Sequence, residues 1–366
     1  MADEEKRVES ADILNVTAAQ KVREFPPRQG EGEGGDGVPE EQLIKYIQVI
    51  GNYLKEKGYE NMQLTPLLMG KIFLRDHLFR LAAIICLTML VAGCLPKAIP
   101  PPSTQAKIAV VLGAGAAKGF AHIGVLKVLE AQKVPIHMIV GTSAGSFVGS
   151  LYAYGYNAYQ LQGLAMSLEK DDVADFTLPD NGFLKGEKLQ QYVNKAVRGA
   201  SIEKFRIPFH AVATNIQTGE EMVFGQGNAG MAVRASCSVP GVFQPPRFGS
   251  AVYVDGGVVA PVAVEAAKKF GADVVIAVDI SGGVSPTAPQ NTIDTILKAI
   301  DIMYNRIAAS HLSKADVVIR PNVGYISGAD LSRRHEAILE GEKAALAAMP
   351  AIQQVLAKLR QEGRLP

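Results

Sequence analysis

The run Ile108-Ala109-Val110-Val111-Leu112 constrains this chain more than any other feature. It is apolar at every position, with no polar alternation, so a strand made from it must be covered on both faces. Other short runs rich in β-branched residues recur at 138–140, 209–214, 252–254, 274–278 and 317–319. Helix-compatible stretches follow Gly119 and Ser143 and occupy about 293–312 and 334–348. Strands alternating with helices predict an α/β domain with a largely buried sheet from Lys107 onward. No internal repeat of useful period is visible.

Composition excludes some functions. Of 366 residues, 48% are hydrophobic and 20% charged, enough for a sizeable core. The 37 basic residues are balanced by 36 acidic ones, so no global field draws the chain to nucleic acid, and no nucleic-acid partner is expected. Three cysteines, Cys86, Cys94 and Cys237, do not make a disulfide framework. No Cys, His and carboxylate cluster has zinc-site spacing, so neither metal nor cofactor is expected.

The first 68 residues differ from the rest. An acidic start and the run G-E-G-E-G-G-D-G, ending at Gly37, precede one amphipathic helix over about 39–57, with Leu43, Ile44, Ile47, Ile50 and Leu54 on one face. Met69 opens a different pattern: Lys71, Arg75 and Arg80, an apolar stretch over 81–93, and then Val91-Ala92-Gly93-Cys94. The stretch is shorter than the roughly 20 apolar residues a bilayer span needs, and its charged, apolar and small-residue order is that of a secretory signal peptide. V-A-G-C resembles the bacterial lipobox. That resemblance implies a signal peptide over 69–93, lipid on Cys94 and a Pro-rich tether over 94–106. It also implies membrane attachment through the lipid. Leu95 after the cysteine favours the outer membrane over the inner. A signal peptide belongs at an N-terminus, so either translation starts at Met69 or residues 1–68 are a genuine extension; the first is preferred.

Two glycine-bearing turns carry the chemistry. Gly141-Thr142-Ser143-Ala144-Gly145 is a G-x-S-x-G sequence between an apolar run and a helix. In that context a serine occupies a tight, strained strand-to-helix turn, Gly141 and Gly145 leave room for it, and the helix N-terminus favours a developing oxyanion. The loop Gly113-Ala114-Gly115-Ala116-Ala117-Lys118-Gly119 also joins a strand to a helix. A dinucleotide fingerprint needs glycine where Lys118 stands, and a phosphate loop needs Gly-Lys followed by Ser or Thr. The loop fits an oxyanion hole better, with backbone N–H groups from Ala114 to Gly119. Asp255 follows the apolar run A-V-Y-V and precedes Gly256-Gly257, which read as a sharp turn at the sheet edge. Taken alone, it reads more readily as a turn aspartate bonding local N–H groups.

In order and spacing, G-A-G-A-A-K-G-F-A-H-I-G-V-L, G-T-S-A-G, A-S-C-S-V-P-G-V-F (235–243) and V-D-G-G resemble the patatin-like phospholipase family over about 107–323. The resemblance implies a three-layer α/β/α fold with a largely parallel central sheet. The segment 324–366 would be a helical part of the same domain. It further implies Ser143 as nucleophile, Asp255 as base, Ala114, Gly115, Ala116, Ala117, Lys118 and Gly119 as oxyanion loop, and membrane lipid esters as substrate. The family loop usually reads G-G-G-x-K/R-G, whereas Ala114 and Ala116 stand here. Alanine tolerates positive φ poorly, so alanine-compatible backbone angles are expected.

Three alternatives remain open at this level. A Ser-Asp-His triad esterase would use His311 or His335, which follow Asp255 in chain order, although both lie in helical sequence. An acyltransferase would resolve the acyl-enzyme with another lipid. A lipoprotein could bind lipid without turnover. His122 reads as packing or loop-bracing, Cys237 as a small buried hydrophobe, and Lys118 as either an oxyanion-directed charge or a loop cap. Oligomeric state is not legible.

Overall fold

The computed structural model describes residues 105–178, 181–283 and 288–366, together with the helical positions Lys45, Gln48 and Asn52. Those three positions fall inside the helix expected over 39–57. The expected signal peptide over 69–93, Cys94 and the tether up to residue 104 lie outside the described residues. The chain divides into two units, Met1–Ala98 and Ile99–Pro366.

Within the second unit, the strands are β1 (Ile108–Leu112), β2 (Met138–Thr142), β3 (Phe209–Asn215), β4 (Glu221–Phe224), β5 (Arg247–Phe248), β6 (Ala251–Asp255), β7 (Val274–Val278) and β8 (Val317–Ile319). Apart from the single turn Lys170–Val173, the α-helices are α1 (Phe120–Ala131), α2 (Ala144–Tyr154), α3 (Ala158–Ser167), α4 (Glu187–Ala196), α5 (Ala229–Ser236), α6 (Val264–Lys269), α7 (Thr292–Leu312) and α8 (Arg334–Gln361). One sheet runs β5-β6-β3-β2-β1-β7-β8, with β4 also paired to β3. The strands from β3 to β8 along that order are parallel, while β4, β5 and β6 pair antiparallel.

The uninterrupted apolar strands are explained by what covers them. Ile108, Val110 and Leu112 of β1 enter one core cluster, with side chains of α1, α2 and α8. Ala109 and Val111 enter another, with Val264 and Ala267 of α6 and Ala308 and Leu312 of α7. Alternate residues of one strand thus feed two layers of helices, the three-layer arrangement expected.

Helix α8 extends beyond the expected 348, through Pro350 to Gln361. A proline inside a helix costs about 3 kcal/mol. Here Met349, Ile352, Leu356 and Leu359 continue the helical spacing and are buried in the main core, which offsets that cost. β4 and β5 were not expected, because E-M-V-F and R-F are too short and too exposed to give a clean pattern.

Candidate active site

The register of β3 explains how two residues more than a hundred positions apart come together. Ala211 pairs with Gly141 of β2 and with Phe224 of β4, so β2 and β4 lie on opposite edges of β3. Ala213 pairs with Met222 of β4 and with Asp255 of β6. β2 and β6 therefore share one edge. β2 runs parallel to β3 and ends against Val212, while β6 runs antiparallel and ends against Ala213. Two strands approach head-on, and their C-terminal ends deliver Ser143 and Asp255 to the same point.

Ser143 is 4% exposed and lies at φ 54, ψ −124, outside the regions L-residues favour. What holds it there is the packing of the turn. A Cβ on Gly145 would lie 2.0 Å from the Leu112 carbonyl oxygen, and one on Gly141 would lie 2.5 Å from Gly145 O, so both expected glycines are required for space. The Ser143 N–H donates to Ser236 Oγ at 2.9 Å, and the Ser236 hydroxyl donates to Val212 O at 2.6 Å. Ser236 thus ties the elbow to β3 at the place where β2 ends. The Ser143 carbonyl caps α2, accepting from the Ser146 N–H at 2.8 Å and the Ser146 hydroxyl at 2.7 Å.

Asp255 is fully buried. Its Oδ1 accepts from the Gly257 N–H at 2.7 Å and from the Tyr304 hydroxyl at 3.0 Å. Oδ2 has no hydrogen-bond partner, and the Ser143 hydroxyl is the neighbouring side chain that acts most on this carboxylate. Burial pushes its pKa up from 3.8 to about 6, with Ser143, Gly257 and Tyr304 pulling the other way. Tyr304 is itself held far above the usual tyrosine range, by burial first and then by the Asp255 charge, so it stays a neutral donor. Gly256 and Gly257 make the turn expected of them, one 3-10 turn over Gly256–Val258 directly after β6, and do so without positive φ. They are needed for close approach: a Cβ would lie 2.2 Å from Val212 O at Gly256, and 2.3 Å from the Tyr304 ring at Gly257.

In the glycine-rich loop, Gly113, Ala114, Ala117 and Lys118 spend their N–H groups on Val278, Pro261, Gly328 and Gly115 carbonyls. Of the six residues Ala114 to Gly119, the N–H groups of Gly115 and Ala116 make no hydrogen bond among the described residues, and neither does that of Ala144 at the start of α2. The expectation of alanine-compatible angles fails at Ala116, whose φ is 50. The strain, about 1–2 kcal/mol, is outweighed by the contacts that fix the loop. The Lys118 ammonium, on a side chain 1% exposed, pairs with Asp301 at 2.6 Å. His122 Nε2–H donates to Gly113 O at 2.8 Å. Lys118 is therefore a buried anchor, and His122 a neutral brace whose pKa burial lowers to about 4. Burial also raises the pKa of Asp301, against the pull of Lys118.

An apolar cavity of about 170 Å3 opens onto Ser143. Ala116, Ala117, Gly119 and Ala144 line it beside the serine, and Phe147, Val148, Leu168, Leu189, Val239 and Phe243 supply much of the remaining wall. Cys237 lines it too, its thiol pKa pushed up by burial, and behaves as the small hydrophobe expected. No histidine hydrogen-bonds Ser143 or Asp255 among the described residues. His335 is exposed, and His311 lies two turns beyond Tyr304 on α7, about 10 Å along the axis. Among the described residues no group of His, Cys, Asp or Glu could hold a metal ion.

Residues 110–268 match the family model described as patatin-like phospholipase. This segment is a patatin-like domain. The chain is 33% identical over 302 residues to the lysophospholipase NTE1 of Coccidioides immitis, covering 80% of this chain and 18% of that one. It is 35% identical over 205 residues to the lysophospholipase NTE1 of Debaryomyces hansenii, covering 54% of this chain and 13% of that one. It thus spans less than a fifth of these relatives' length. Among solved structures it is similar to VipD from Legionella pneumophila, with a TM-score of 0.47 at 13% identity, covering 69% of this chain and 67% of that one.

Sequence reasoning had singled out Ser143, Asp255 and the loop. It missed Ser236, Tyr304 and Asp301. Ser236 lay inside the A-S-C-S motif, which was a usable signal, whereas Tyr304 and Asp301 carried none, since a helix interior shows no sign of which face meets a carboxylate or an ammonium.

Proposed function

We propose that this chain is a serine lipid acyl hydrolase in which Ser143 is the nucleophile and Asp255 its base. The observation that carries the reading is the meeting of a strained serine with a buried carboxylate on which the Ser143 hydroxyl acts, at the head of an apolar cavity. Asp255 Oδ2 takes the Ser143 hydroxyl proton as Oγ attacks the ester carbonyl. The oxyanion is received by the uncommitted N–H groups of Gly115, Ala116 and Ala144, helped by the N-terminus of α2. Asp255 returns the proton to the leaving alcohol, then deprotonates a water that releases the acyl group from Ser143. A base with a pKa near 6 is ionised at neutral pH yet basic enough to accept a proton, which an ordinary solvated aspartate is not. An acyl chain suits the cavity because its walls offer apolar contact and almost no polar partner.

The test is hydrolysis of lysophospholipid and simple esters by the full chain. Ser143→Ala and Asp255→Asn are expected to lose roughly 10³-fold or more in kcat, and His311→Ala to keep the parent rate. Loss in His311→Ala would replace this reading with a triad. An inactive parent would leave a lipid-binding protein.

The lipoprotein reading belongs to the same proposal. Lys71, Arg75, Arg80, the apolar stretch over 81–93 and V-A-G-C support a lipid on Cys94, a Pro-rich tether to residue 106 and attachment of the domain to its lipid substrate, with the outer membrane favoured by Leu95. Among the described residues no helix is long and apolar enough to cross a membrane. Mass spectrometry of the mature N-terminus would show diacylglyceryl-modified Cys94; an unmodified chain beginning at Met1 would refute the reading.

A further inference from the structure

Behind the cavity at Ser143 lies a second, smaller one of about 20 Å3, enclosed by α1, α2, α3 and α4. The two share four wall residues, Phe120, Phe147, Val148 and Leu168. The inner chamber adds Leu151, Leu161 and Ala165, among others, and apart from the Tyr192 hydroxyl its walls offer no polar side chain. Both chambers lie along α2. Ser143 stands at the helix start, Phe147 and Val148 one turn on, and Leu151 a turn beyond, about 12 Å from the serine along the axis. Of the shared residues Phe147 is the one that is only half-buried, and its ring sits 5.7 Å from that of Tyr192, tilted by 38°.

We infer that the inner chamber is a binding site for the distal end of a long acyl chain, and that Phe147 is the partition that sets how long a chain is accepted. The inference rests on the acyl-hydrolase reading for its ligand. A chain held at Ser143 can extend only where apolar wall continues, because each methylene left in water forgoes the free energy of burial. The outer cavity opens to solvent on one side, and on the other meets the chamber that Phe147 closes. Turning that ring joins the two without moving backbone, since a side-chain rotation is far softer than any shift of packed helices. Val148, the next residue on α2, also lines both chambers and is too short to close the gap alone.

The experiment compares kcat/KM for p-nitrophenyl laurate and butyrate in the parent, Phe147→Ala and Ala165→Leu, all as the full chain. Phe147→Ala is expected to raise the laurate-to-butyrate ratio, by roughly fourfold for each methylene newly buried. Ala165→Leu fills the chamber and is expected to lower it. An unchanged ratio in both folded variants would overturn the inference while leaving the hydrolase reading intact. If the parent hydrolyses neither ester, the hydrolase reading fails instead. Calorimetric binding of dodecanol against hexanol to the same three proteins then decides: the same opposite shifts in relative affinity support the chamber, and identical relative affinities overturn it.

Discussion

The half of the site around Ser143 is shaped mainly by one continuous piece of chain, with Ser236 and Leu112 reaching it from elsewhere, whereas the half around Asp255 is gathered from several. Strand β2, the elbow and α2 place the serine, and the glycines that permit it are its near neighbours. Asp255 owes its state to Gly257 beside it, Tyr304 on α7 and Ser238 after α5, whose carbonyl accepts the Asp255 N–H at 2.8 Å. The difference separates two tasks. Holding a serine in strained backbone is a matter of shape, which local sequence can encode. Holding a carboxylate near a pKa of 6 is a matter of surroundings, which only the finished fold supplies.

The largest expected effect breaks the serine half. Gly145→Ala puts a methyl 2.0 Å from the Leu112 carbonyl oxygen and 2.8 Å from that of Gly113, where only backbone could give way. A loss of at least about 3 kcal/mol in urea unfolding is expected, together with loss of fluorophosphonate labelling at Ser143. Gly257→Ala meets a side chain instead, the Tyr304 ring, and should cost less. Equal losses in the two would remove the distinction between a backbone-defined and a side-chain-defined half.

The next effect is a gain of stability. The folded-state pKa of Asp255, about 6, stands above its ordinary 3.8, so between those values the folded protein binds the extra proton and loses stability as pH rises. Above pH 6 the full penalty, about 3 kcal/mol, is present. Asp255→Asn keeps an acceptor for Gly257 and Tyr304 and can present its NH2 to the Ser143 hydroxyl. It should therefore be more stable than the parent at pH 8 by up to about that amount, with the difference vanishing below pH 4, while activity is lost. Melting temperatures of both proteins across this range test it, and a difference independent of pH would mean that the carboxylate is not buried as described.

The same comparison accounts for what could be read in the sequence. β1, β2 and β7 were legible because strands covered on both faces leave apolar runs that nothing interrupts, and β3, β6 and β8 because their β-branched and aromatic residues still cluster. The serine elbow was legible because steric demands act over a few residues and admit only glycine. The turn at Gly256 and Gly257 was legible, but the close approach that makes both glycine was not, since it depends on the position of Val212 and Tyr304. Likewise Lys118 could not be assigned without Asp301, 183 residues away. Tyr304 stood inside an ordinary amphipathic helix, T-I-D-T-I-L-K-A-I-D-I-M-Y, where its contact with Asp255 depends on how α7 lies against the end of β6.

The smallest effect sharpens the comparison most, because it alters the aspartate half and leaves shape alone. Tyr304→Phe keeps the ring that Gly257 makes room for and removes only the hydroxyl 3.0 Å from Asp255 Oδ1. That hydroxyl donates to the carboxylate and favours its ionised form, so without it the pKa rises above 6. The acid limb of kcat/KM should move to higher pH. At pH 6 the variant should lose roughly 7- to 80-fold, from a hydrogen bond to a charge worth about 1.5–3 kcal/mol, and at pH 8 much less, since more of the base is ionised there. By the same linkage, the variant should also lose stability at pH 8, by about 1.4 kcal/mol for each unit the pKa rises. A variant slowed equally at every pH would show that Tyr304 only orients the carboxylate; one with the parent's profile would show that Gly257 and burial suffice to set it.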